Sequence, residues 1–132
     1  MISLFDTLPP EKARVISPVT LAFVGDAVYS LYVRHTLVLL HDYSPNELQK
    51  HNSSEVSAHG QNALLEKILP KLTEEEQAIF KRGRNAKKST RSKSASVYEY
   101  NNSTGLEAVI GYLYLCGQYD RISCLLSELN EN

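Results

Sequence analysis

Apolar residues recur at helical spacing along almost the whole chain, and no segment of useful length alternates with a period of two. Ser17-Pro18 reads as a helix start, with Ser at the N-cap and Pro in the first turn. The helix that follows runs to about Thr36 and is apolar nearly all the way round, which predicts a central position. Ser44-Pro45 repeats the start signal, and a break is expected near Asn52-Ser53. Residues 55–69 carry an apolar stripe of Val56, Ala63, Leu64 and Ile68, and Pro70 stops it. Thr73 with Glu76 forms a capping box before Ala78, Ile79 and Phe80. Asn101-Asn102-Ser103 offers capping residues for a helix through Glu107, which Cys116-Gly117 ends. Asp120 caps a last short helix with Ile122, Leu125, Leu126 and Leu129 inward. Residues 1–14 read as a loosely held lead-in. The expectation is an all-α single domain over residues 1–132, with about six or seven helices.

Two helices break their own pattern. Residues 21–29 are apolar except for Asp26, beside Gly25. Residues 106–113 are apolar except for Glu107, with Gly111 four residues on. An ionised carboxylate in an apolar helix costs several kcal/mol unless compensated, and a helix-interior Gly costs about 1 kcal/mol relative to Ala. Local rules are broken most often where function demands it. One such acid alone reads as a core carboxylate or half of a buried salt bridge. Two change the picture, because facing carboxylates repel and neither supplies a countercharge. The expectation is that the two helices pack together and that Asp26 and Glu107 share a hard divalent cation, Mg²⁺ or Mn²⁺.

Totals sharpen this only in part. With 132 residues, 42% of them hydrophobic and 22% charged, the chain fits one ordinary globular domain. Residues 1–10 lack a basic start followed by an apolar core, and Asp26 interrupts the longest apolar run. A cytoplasmic protein without a membrane span is expected, with Cys116 and Cys124 as free thiols. His35, His41, His51 and His59 form no ligand motif, and no Ser-His-Asp set or phosphate-cradling Gly loop is present. The net charge of −1 excludes nothing. Its distribution says more. Lys81, Arg82, Arg84, Lys87, Lys88, Arg91 and Lys93 place seven of the fourteen basic residues in one stretch, free of acids from Gln77 to Tyr98. Such a run is most often a solvated loop, and residues 88–96 have a loop-like composition. Here the charge is locally unbalanced, and Gly83 is expected to let the backbone approach a polyanion.

Phe23-Val24-Gly25-Asp26-Ala27-Val28 resembles the first motif of the ribonuclease III catalytic domain, and Leu106-Glu107-Ala108-Val109-Ile110-Gly111 resembles the second. Arg82-Gly83-Arg84-Asn85-Ala86-Lys87, Ser103-Thr104-Gly105 and the stretch from Lys50-His51 to Gln61 are similar to the minimal bacterial branch, Mini-ribonuclease III. The likeness covers about residues 18–116, and no double-stranded-RNA-binding domain follows it. The resemblance implies an all-α homodimer whose two active sites lie along one groove for an RNA duplex. It implies Mg²⁺-dependent hydrolysis leaving 5′-phosphate ends, in maturation of large-subunit ribosomal RNA precursor, with a ribosomal protein as a possible partner. Asp26 and Glu107 take the positions of two family carboxylates, as catalytic and metal-binding residues. Arg82, Arg84, Lys87, Lys88 and Arg91 would grip RNA phosphates. Two other family acids are absent, with Ala22 four residues before Asp26 and Thr104 three before Glu107. The minimal branch shares this economy, which leaves the metal count open. A non-catalytic RNA-binding protein on the same fold, acting in ribosome assembly, is the alternative.

Overall fold

A computed structural model of the chain describes residues 1–87 and 96–130. Seven α-helices make up the described residues: α1 (Pro10–Ala13), α2 (Pro18–Leu40), α3 (Pro45–Val56), α4 (Ala58–Ile68), α5 (Glu74–Asn85), α6 (Val97–Leu115) and α7 (Tyr119–Leu126). Short 3-10 turns follow α4 and α7, and the described residues contain no strand. The all-α expectation therefore holds. Among these residues no helix is long and apolar enough to cross a membrane.

The central helix is α6, not α2. From Asn102 to Leu113 every α6 residue is buried except Glu107. By contrast, α2 buries only one face, through Leu21, Ala22, Gly25, Tyr29 and Val33. Its other face leaves Phe23 80%, Leu31 67% and Val38 64% exposed. Apolar residues all round a helix thus mark two faces to be covered, and a single chain covers only one.

Two glycine-lined crossings set the spacing around α6. A Cβ placed on Gly25 would lie 1.7 Å from the backbone oxygen of Glu107, and one on Gly111 would lie 1.9 Å from that of Leu21. Only hydrogen at both positions lets the α2 and α6 backbones touch. On the other side, a Cβ on Gly83 of α5 would meet Gly105 Cα at 2.9 Å, and one on Gly105 would meet the Phe80 ring. Gly83 therefore sits inside a helix and serves packing against α6. The expected approach of its backbone to a ligand is not what the space around it is used for.

Local chemistry explains most of the ends. Capping boxes start α3, with Ser44 and Glu47, and α5, with Thr73 and Glu76. The break after α3 falls at Ser57, whose hydroxyl caps α4. Helix α6 begins a turn earlier than its Asn residues suggest, capped by Ser96; Asn102 and Ser103 lie buried inside it. The Ser103 and Thr104 hydroxyls bond back to the Tyr100 carbonyl, which satisfies them within the helix. At the far end Gly117 adopts φ 74°, and the Gln118 and Gly117 amides return to the Leu113 and Tyr114 carbonyls. Ser17 and Gln118 precede α2 and α7 without a side-chain cap, so Asp120 is a first-turn residue rather than the cap. Nor is the lead-in loose. Ala13 is fully buried, Leu8 N–H donates to the Leu115 carbonyl, and Tyr114 OH donates to the Leu4 carbonyl.

Candidate nucleic-acid cleavage site

The Gly25/Gly111 crossing decides where the two carboxylates meet. Glu107 is the residue whose backbone Gly25 touches, and Asp26 follows Gly25 directly. Their side chains emerge from α2 and α6 into one open cleft of about 790 Å³. Ala22, Phe23, Gln61, Lys87, Tyr100 and Thr104 contribute to its walls. Asp26 is exposed to the cleft, and Glu107 is half-buried in its floor.

The two acids line the same cleft and influence each other. Burial and the hydrogen bond to Asp26, together with the Asp26 charge, push the Glu107 carboxyl from its ordinary 4.5 up to about 8. A donor from Gln61 Nε2, 3.2 Å from Glu107 Oε2, works against this shift. The pair has no basic countercharge among the partners that shift Glu107. That donor set suits a hard divalent cation, whose charge would favour the ionised form of Glu107. The described residues hold no cluster of three or more His, Cys, Asp or Glu able to bind a metal. Two carboxylates would leave most of the coordination shell to water and substrate oxygens.

The basic residues expected to touch RNA fall in different places. Lys87 lines the same cleft as Asp26 and Glu107. Arg82 turns the other way: its guanidinium donates to the Arg14 carbonyl at 2.5 Å and the Ile16 carbonyl at 3.2 Å, holding the lead-in to α2. Arg84 lies 5.7 Å from the Phe80 ring centroid and borders a separate cavity with His59, Tyr98 and Glu99. Lys88 and Arg91 lie outside the described residues.

Sequence reasoning missed Gln61. It stands on the inward stripe of α4 with Leu64, Leu65 and Ile68, so a polar residue on an apolar face was the available signal. Tyr29, buried on α2, donates its OH to the Glu55 carbonyl 3.2 Å away. Burial, with the charges of Glu55 and Glu107, raises its pKa further above the ordinary value.

The profile of the Ribonuclease III domain family matches residues 19–118. The Mini-ribonuclease 3 of Symbiobacterium thermophilum is 46% identical over 111 residues, covering 84% of this chain and 85% of that one. The Mini-ribonuclease 3 of Staphylococcus aureus is 42% identical over 126 residues, 94% of each chain. A crystal structure of a protein from Fusobacterium nucleatum superposes with a TM-score of 0.81 at 35% identity, covering 89% of this chain and 94% of that one. With the family profile spanning most of the chain and such relatives aligned nearly end to end, the chain belongs to the endoribonucleases of the ribonuclease III family, in the Mini-ribonuclease 3 branch.

Proposed function

We propose that this endoribonuclease hydrolyses double-stranded RNA with a divalent cation held by Asp26 and Glu107, and that its substrate is large-subunit ribosomal RNA precursor. The observation that carries the proposal is the convergence of two carboxylates, from α2 and α6, on one open cleft. Mg²⁺, or Mn²⁺ in its place, would supply Lewis-acid stabilisation of phosphate charge and an activated water. Asp26 and Glu107 bind it and fix its place relative to the cleft walls. Lys87 brings positive charge to the same cleft and pairs with a backbone phosphate of the duplex. Arg84, Lys88 and Arg91 extend that grip along the strand. Arg82, committed to the Arg14 and Ile16 carbonyls, contributes by holding the start of α2.

The bare apolar face of α2 supports a homodimer, which would set two such clefts against one duplex. The deep, narrow major groove of A-form RNA is closed to side chains, so a duplex is recognised mainly by shape, through phosphates and minor-groove 2′-hydroxyls. The assignment to ribosomal RNA, and to a ribosomal protein as helper, follows the resemblance to the minimal branch. The test is a long labelled duplex and its two single strands, each incubated with purified protein and Mg²⁺, with chelator, and with Mg²⁺ restored. Cutting of the duplex alone, stopped by chelator and recovered with Mg²⁺, is expected. Duplex binding without cutting in every lane would favour the non-catalytic reading.

A further inference from the structure

We propose that Gln61 is the positioning residue of the carboxylate pair: it fixes Glu107 with a neutral donor, so that the pair is oriented yet keeps its negative charge for a cation. This builds on the assignment of Asp26 and Glu107 as that cation's ligands.

Gln61 is 3% exposed, at the first turn of α4. Both hydrogens of its Nε2 are committed: one to the Val56 carbonyl at 3.1 Å, the other to Glu107 Oε2 at 3.2 Å. The amide cannot be turned over, because its oxygen would then face a carbonyl and a carboxylate, both acceptors. In the orientation it holds, Oε1 is buried and has no hydrogen-bond partner. Burying an unpaired amide oxygen costs about 1–3 kcal/mol. Leu or Met would fill the same space without that cost, but would leave the Val56 carbonyl and Glu107 without their donor. Packing therefore does not explain an amide here, whereas its two hydrogen bonds do, and only the one to Glu107 reaches the carboxylate pair.

Charge explains why the donor is neutral. Lys or Arg at this position would neutralise Glu107 and occupy the electrostatic role of the cation. Asp or Glu would add a third like charge. An amide donates without altering the charge of the pair, and its two hydrogens let one side chain reach both Glu107 and the Val56 carbonyl. Its anchor is firm. Val56 ends α3, where carbonyls lack partners within the helix, and the second Gln61 hydrogen takes that one. The α3–α4 corner is tight as well, since a Cβ on Gly60 would lie 2.3 Å from the Ser54 carbonyl oxygen. Gln61 thus ties the corner to Glu107 across the wall of the cleft.

The experiment measures Mn²⁺ binding to the RNA-free protein by electron paramagnetic resonance, with melting curves, for wild type, Gln61→Leu, Gln61→Met and Asp26→Asn. Loss of an outer partner of a metal ligand typically weakens binding about 10- to 100-fold. Both Gln61 variants are expected to fold, to melt close to the wild-type temperature without metal because relief of the unpaired Oε1 offsets loss of the Val56 bond, and to bind Mn²⁺ at least about tenfold more weakly. In cleavage assays the Mg²⁺ concentration for half-maximal rate should rise in step, with KM for the duplex within about twofold of wild type. A folded Gln61 variant with wild-type Mn²⁺ affinity would overturn the proposal, and Gln61→Met decides if Gln61→Leu is unfolded. Unfolding of both would also overturn it, by showing that the amide is needed for the fold itself. Mn²⁺ affinity unchanged in Asp26→Asn would instead remove the metal assignment on which the proposal stands.

Discussion

Hydrogen in place of a side chain at positions 25 and 111 is what allows two acids from distant parts of the sequence to meet. Gly25→Ala would drive a methyl group into the Glu107 backbone, where no flexible side chain can yield. The helices must separate, and stability should fall by about 3 kcal/mol or more, measured by denaturant unfolding, with loss of cleavage. The acids themselves are expected to act in the opposite direction on stability. Glu107 keeps its proton in the folded protein up to about 8, while the unfolded chain releases it near 4.5. Folding therefore takes up a proton between those values, and the stability of the metal-free protein should decline as pH rises through that window. Glu107→Gln removes the conflict. It should raise metal-free stability at neutral pH by about 1–3 kcal/mol in thermal melts, while abolishing stabilisation by Mg²⁺. Asp26, Glu107 and their glycines were legible in the sequence because each broke a helical pattern. Gly83 was misread because a sequence shows that a backbone comes close to something, not what. Gln61 went unnoticed because its meaning lies in the carboxylate it faces, 46 residues away.

At the scale of the element, one ion pair joins α5 to α7. The Glu76 carboxylate is buried and accepts from Arg121 Nε at 2.9 Å and Arg121 Nη2 at 2.8 Å. It also accepts the Thr73 amide of its own capping box. Burial pushes the Glu76 carboxyl up, but these donors outweigh it and hold it below its ordinary value of 4.5. A depressed carboxyl adds stability that is present above 4.5 and is lost as pH falls through the folded-state value. Arg121→Ala should destabilise by about 3–5 kcal/mol at neutral pH, since it strands a buried charge. Much of that loss should vanish on acidification, in melts taken from pH 7 down to pH 3. The capping box was readable from Thr73 and Glu76 alone, being a local device. The start of α6 was not, because Asn102 and Ser103 prefer helix ends by local chemistry, and burial against α4 and α5 overrode that preference.

For the whole molecule, the exposed stripe through Phe23, Leu31 and Val38 sets an expectation about assembly. An apolar face of this kind on a central stretch of α2 should be covered by a second copy. Sedimentation should find a dimer at micromolar concentration, and Leu31→Asp should yield a folded monomer. Affinity for duplex RNA, resting on phosphate contacts from a short basic stretch, should fall steeply between low and moderate salt. The sequence showed an apolar surplus on α2 but not whether one chain would absorb it; the fold shows that α6 took the centre and left that face bare. The central claim is that Asp26, brought to Glu107 by the α2–α6 crossing, is needed for cutting and not for binding RNA. The most direct test is to measure binding and single-turnover cleavage of one labelled duplex, in Mg²⁺, by wild type and Asp26→Asn. Binding within a few-fold of wild type with cleavage reduced at least about a thousandfold is predicted. Cleavage by Asp26→Asn at the wild-type rate would contradict it.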